Sequence, residues 1–149
     1  MRNEASKLLE LALAGSTQAD EATVRYLMRA LRRWLIGGRD GPPLSSVLGL
    51  PSSAERARTG LRDAYLRGAA EILAPHFTGQ KWALSCALHT ELRAFAGHQW
   101  PCWAGEEDGP PPHASELQAA LWWAMRASPS AHRLTAQRLM QIIDPGKAF

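Results

Sequence analysis

The sequence predicts an all-α fold, a single-domain irregular bundle of six or seven helices across residues 1–149. Three observations lead there. Leu and Ala dominate the apolar residues, while valine occurs only at 24 and 47 and isoleucine only at 36, 72, 142 and 143. That scarcity of β-branched side chains is unfavourable for an extended sheet, and the Ala, Leu, Arg and Glu that replace them are strong helix formers. Apolar residues recur at spacings of three and four, and Ser, Thr, Asp, Gly and Pro sit where such runs begin and end.

A first helix is expected over residues 3–14, with Leu8, Leu9, Ala12 and Leu13 on one face and Gly15 as its stop. Thr17 and Asp20 then stand at capping-box spacing, with Asp in place of Glu. The second helix runs to about Ile36. Its stripe of Val24, Leu27, Met28, Leu31 and Leu35 is expected to face the core. Residues 37–43 (GGRDGPP) form a turn-rich connection, and a short helix falls within 44–50. Ser52 and Glu55 mark the start of the next helix, which runs to about Leu73 and lines Ala57, Leu61, Ala64, Tyr65, Gly68 and Ile72 on one side. Gly60 and Gly68 on it offer room for a close helix approach.

Pro75 interrupts, and Thr78 is the expected cap of a helix reaching about Ala96, striped by Leu84, Leu88, Leu92 and Phe95. Gly97 closes it. Residues 97–114 read as an ordered, Trp/Pro-rich connection. Ser115 caps a further helix with Leu117, Leu121, Ala124 and Met125 inward, residues 128–130 (SPS) end it, and a short last helix carries Leu139, Met140, Ile142 and Ile143.

No stretch approaches 18 uninterrupted apolar residues, and Glu4, Lys7 and Glu10 break the N-terminal run, so neither a membrane span nor a leader peptide is expected. Cys86 and Cys102 form no CxxC pair and cannot staple a scaffold. The expectation is a cytoplasmic protein with free thiols.

The charge is distributed unevenly. Residues 25–67 hold nine arginines against three acids, a net of +6, which leaves −3 for the rest of a chain whose formal charge is +3. Arg25, Arg29, Arg32 and Arg33 share one side of the second helix, and Arg58 and Arg62 repeat the four-residue spacing further on. Guanidinium forks match phosphate oxygens in bidentate fashion, so these six residues are the candidate nucleic-acid contacts, holding the backbone and not reading bases. A solvated arginine face is the plainer alternative. The stretch 43–66 has the outline of a helix-turn-helix centred on Gly49, although Glu55 and Arg58 put charge where the second helix should bury an apolar side chain.

Six tryptophans stand at 34, 82, 100, 103, 122 and 123. Trp34 and Trp82 are candidate core residues. Trp100 and Trp103 lie in the connection and have three readings. They fold back over the preceding helix, meeting Trp122 or Trp123, or present an aromatic anchor to a protein partner, or stack on single-stranded bases. Catalysis by Cys102 with His98 as base is disfavoured, because Glu106, Glu107 and Asp108 would oppose a thiolate and no oxyanion device accompanies the pair. No metal-ligand spacing and no phosphate-binding glycine loop occurs, so neither a metal nor a cofactor is expected. The sequence therefore reads as a non-enzymatic binding protein: a DNA-binding or other nucleic-acid-contacting regulatory or accessory factor, or alternatively a protein-protein interaction module or inhibitor docking through the Trp100/Trp103 loop.

Overall fold

The computed structural model describes residues 4–14 and 18–146. They form an all-α protein with eight α-helices, two 3-10 turns and, among the described residues, no strand. The helices are α1 (Glu4–Ala14), α2 (Glu21–Gly37), α3 (Leu44–Val47), α4 (Ala54–Leu73), α5 (Lys81–His98), α6 (Trp100–Trp103), α7 (Glu116–Ala127) and α8 (Ala136–Ile143). The chain divides into two compact units, Met1–Leu61 and Arg62–Phe149, with the division inside α4.

In the first unit, α2 packs against α1 and α3. Asp20 caps α2: its carboxylate accepts from the Thr23 amide at 2.7 Å. Gly15 and Thr17, the expected stop of the first helix and start of the cap, lie outside the described residues. Thr23 is buried, and its hydroxyl donates to Glu4 on α1 at 3.0 Å. Tyr26 donates its hydroxyl to the Leu48 carbonyl at 2.7 Å, just past α3. Gly49 follows with φ +66°, a left-handed turn that glycine adopts without strain; a Cβ there would stand 3.4 Å from the Tyr26 hydroxyl oxygen. These bonds settle which side of α2 faces inward, and it is not the expected one. Thr23 and Ala30 are its buried residues. Val24, Met28 and Leu35 are 43%, 58% and 70% exposed.

The N-terminus of α4 begins one residue later than Ser52 suggests. Ser53 precedes the helix, and its hydroxyl accepts from the Arg56 amide at 3.2 Å. On α4 Leu61 and Tyr65 are buried as expected, but the buried side continues through Leu66, Ala69 and Ala70, while Ala64 and Ile72 are exposed. Among the described residues nothing lies within 4 Å of a Cβ at Gly60 or Gly68, so neither glycine serves a close helix contact there.

In the second unit, α5 is the central helix and packs most extensively on α8, with α6 and α7 also against it. Its stripe is the expected one, since Leu84, Leu88, Leu92 and Phe95 are all buried. Each leucine sealed in this way contributes roughly 1.5–3 kcal/mol over an exposed one. Thr78 does not cap α5; the helix starts at Lys81 after Gln80, with no side-chain cap. Ser115 caps α7 in a complete capping box with Gln118, and Thr135 caps α8.

Two outcomes follow. Ser115→Ala removes one half of the capping box and should cost about 1 kcal/mol in urea unfolding. The hydrogen bond from the Thr23 amide, with smaller help from Lys7, holds the Asp20 carboxyl below its ordinary value of 3.8. Its folded value being the lower one, the charged cap contributes stability above pH 3.8 and loses it as pH falls through the folded value. Asp20→Asn should therefore flatten the acid side of a melting-temperature profile below about pH 4, measured by circular dichroism.

Candidate functional site

Successive residues on a helix are turned by about 100°, and on α2 this sorts the side chains into three sectors. One sector is the buried side, with Thr23 and Ala30 at its centre and the half-buried Tyr26 and Leu27 beside them. The second is the apolar stripe of Val24, Met28, Leu31 and Leu35, open to solvent except at the half-buried Leu31. Arginines make the third: Arg25, Arg29, Arg32 and Arg33 are all exposed. Arg25 is paired with Glu21, and the Arg29 Nε donates to the Arg25 carbonyl at 3.4 Å. Among the described residues no acid lies within ion-pair distance of Arg29, Arg32 or Arg33.

The two candidates on α4 differ from each other. Arg58 is exposed. Arg62 is held by Asp63 through two donors, at 2.8 and 2.6 Å, with its side chain 13% exposed. Its guanidinium is thus already engaged. Of the helix-turn-helix outline, the first helix is the single turn α3 before Gly49, and its end is tied to Tyr26 of α2.

The tryptophan-rich connection is more regular than the sequence suggests. Its first part is a continuation of α5 to His98, a break at Gln99 and the one-turn helix α6. Pro101 sits in the first turn of α6, where a missing N–H leaves no helical bond unmade. The rings of Trp100 and Trp103 turn inward. Trp100 meets Trp122 edge-on with centroids 6.3 Å apart, and Trp103 meets Phe95 at 5.9 Å and His113 at 5.5 Å. Trp122 is fully buried and donates Nε1–H to the Trp103 carbonyl at 3.0 Å. The Arg126 guanidinium lies 5.8 Å from the Trp122 ring centre, and its Nη1 donates to the Ala104 carbonyl at 3.4 Å. Trp123 stacks on Tyr65 at 5.8 Å, and a Cβ at Gly109, whose φ is +155°, would stand in ordinary contact with its ring at 3.5 Å. Trp34 and Trp82, expected in the core, are instead 40% and 55% exposed.

Cys102 and His98 are exposed, and the three acids 106–108 lie on the surface. Among the described residues no three His, Cys, Asp or Glu side chains come together as a metal site, and no helix is long and apolar enough to cross a membrane. An open depression of about 160 Å³ near Arg67, Glu71, Leu84 and Ile143 falls short of the volume of a typical small-molecule pocket, roughly 300–1,000 Å³. Comparison with known proteins returns no match: no family model, no curated protein and no solved structure is significantly similar to the chain.

Sequence reasoning missed the exposure of the α2 stripe. The signal that could have found it was the buried-type polar pair Thr23 and Tyr26 on the neighbouring side of the same helix. The aromatic cluster yields a direct test. Trp122→Ala should cost about 3–5 kcal/mol in urea unfolding, as expected for a large ring removed from a sealed site. Trp103→Ala should likewise lower stability and abolish the near-ultraviolet signature of the cluster, whereas an outward-facing ring would leave both unchanged.

Proposed function

We propose that this chain is a non-enzymatic binding protein that contacts nucleic acid through the arginine ridge of α2, as a regulatory or accessory factor. The observation that carries the reading is the exposed series Arg25, Arg29, Arg32 and Arg33 on one side of one helix, three of them with no acidic partner among the described residues. From Arg25 to Arg33 the helix rises about 12 Å, which spans roughly three phosphates of one strand. Arg58 can extend the contact set. Arg62 belongs to its pair with Asp63 and is left out of it. Contacts of this type grip the backbone and discriminate little between sequences.

The alternative, a protein-interaction module, is favoured by a different observation from the one the sequence offered. The rings of Trp100 and Trp103 are occupied by Trp122, Phe95 and His113, whereas the apolar stripe of α2 is open.

Binding to a fluorescent duplex should weaken steeply with salt. Arg29→Ala with Arg33→Ala should weaken it alike on unrelated sequences and reduce the slope of log K against log salt by about 0.9 per arginine. Absence of any binding to duplex or single strand at low salt overturns the reading.

A further inference from the structure

The apolar stripe of α2 has the geometry of a coiled-coil seam. Val24, Met28, Leu31 and Leu35 are separated by four, three and four residues, which is the alternation of the two core positions over two heptads. Met28 and Leu35 take one core position, Val24 and Leu31 the other. Arg25 and Arg32 then stand at the same flanking position, seven residues apart, along the solvent edge of the seam. The opposite flank holds Leu27 and Trp34, beside the buried side of α2.

We infer that this seam docks an amphipathic α-helix of another protein, apolar along its own core positions and acidic at the flank that meets Arg25 and Arg32. The spacing selects a helix, since knobs at alternating three- and four-residue steps fit the holes of a second helix. The charge selects an acidic one, since Arg32 has no acidic partner among the described residues and Arg25 has only the exposed Glu21 of its own helix. A second copy of this chain fits poorly. Antiparallel pairing sets Arg25 and Arg32 opposite their own counterparts, and parallel pairing sets them opposite Leu27 and Trp34, with no acid to meet them. A membrane surface also fits poorly, because basic residues border only one flank and the other leads into the protein interior. The inference is separate from the nucleic-acid reading: the seam uses apolar residues that ridge contacts do not need, and Arg29 and Arg33 stand away from it.

Two synthetic peptides of about four heptads serve as probes, both with leucine at the core positions, one with glutamate and one with lysine at both flanks. Titrated against the full chain by fluorescence anisotropy, the glutamate peptide should bind and the lysine peptide should not. Met28→Gln with Leu35→Gln should weaken glutamate-peptide binding about tenfold or more. Both positions are exposed, so the fold should survive, with circular dichroism melts as the check. Arg25→Glu with Arg32→Glu should reverse the preference in favour of the lysine peptide. The glutamine pair leaves charge unchanged, so duplex binding should persist in it; loss of duplex binding in Arg29→Ala/Arg33→Ala with peptide binding retained separates the two surfaces. Equal binding of both peptides, no binding of either, a concentration-dependent dimer lost in the glutamine pair, or stripe-dependent binding to phosphatidylglycerol vesicles in place of the glutamate peptide would each overturn the inference.

Discussion

The hydroxyl of Thr23 decides how α2 lies in its unit. It is buried against α1 and donates to Glu4, which is also ion-paired with Lys7 at 3.1 Å. That same pairing raises the Lys7 pKa, first through its hydrogen bond to Glu4. One turn along, Tyr26 reaches the Leu48 carbonyl, and Ala30 continues the inward side with a side chain small enough for a close approach. A buried polar group left without a partner costs about 1–3 kcal/mol, so α2 cannot roll to bury its leucines without abandoning both hydroxyl bonds. The exposure of Val24, Met28 and Leu35 and the direction of the arginines both follow from that restraint.

The second unit is organised differently, around a ring. Trp122 is sealed, its single donor goes to the Trp103 carbonyl, and its edges meet Trp100 and Trp123. The one-turn helix α6 exists because Pro101 tolerates a first turn and because its two tryptophans have places to go on α5 and α7. The stretch that carries Cys102 and the acids 106–108 sets its two tryptophan rings over the apolar interior. Its polar residues stay at the surface.

The packing of α2 leaves an unusual surface on that helix. On α2 a basic ridge and an apolar seam run side by side, with Arg25 and Arg32 at their common edge. An isolated exposed leucine needs no explanation, but a stripe of four apolar residues on one helix does. The ridge supports the nucleic-acid reading and the seam supports the helix-docking one. The two use separable residues of the same helix.

Much was decided by the sequence alone. Helix formers, helical spacing and the cap at Ser115 placed α2, α4, α5, α7 and α8 within a few residues, because each signal is local. The Leu84–Leu88–Leu92–Phe95 stripe was legible for the same reason: α5 has one apolar side and buries it. The one-turn helix α6 was hidden because Pro101 ordinarily reads as a break. On α2 the four arginines are exposed, but the inward side is not the one the sequence suggests. The helix carries an apolar stripe and, next to it, a side bearing Thr23, Tyr26 and Ala30, and periodicity favours the stripe. Only the tertiary structure, by supplying Glu4 and the Leu48 carbonyl as hydrogen-bond partners from elsewhere in the chain, turned the second side inward.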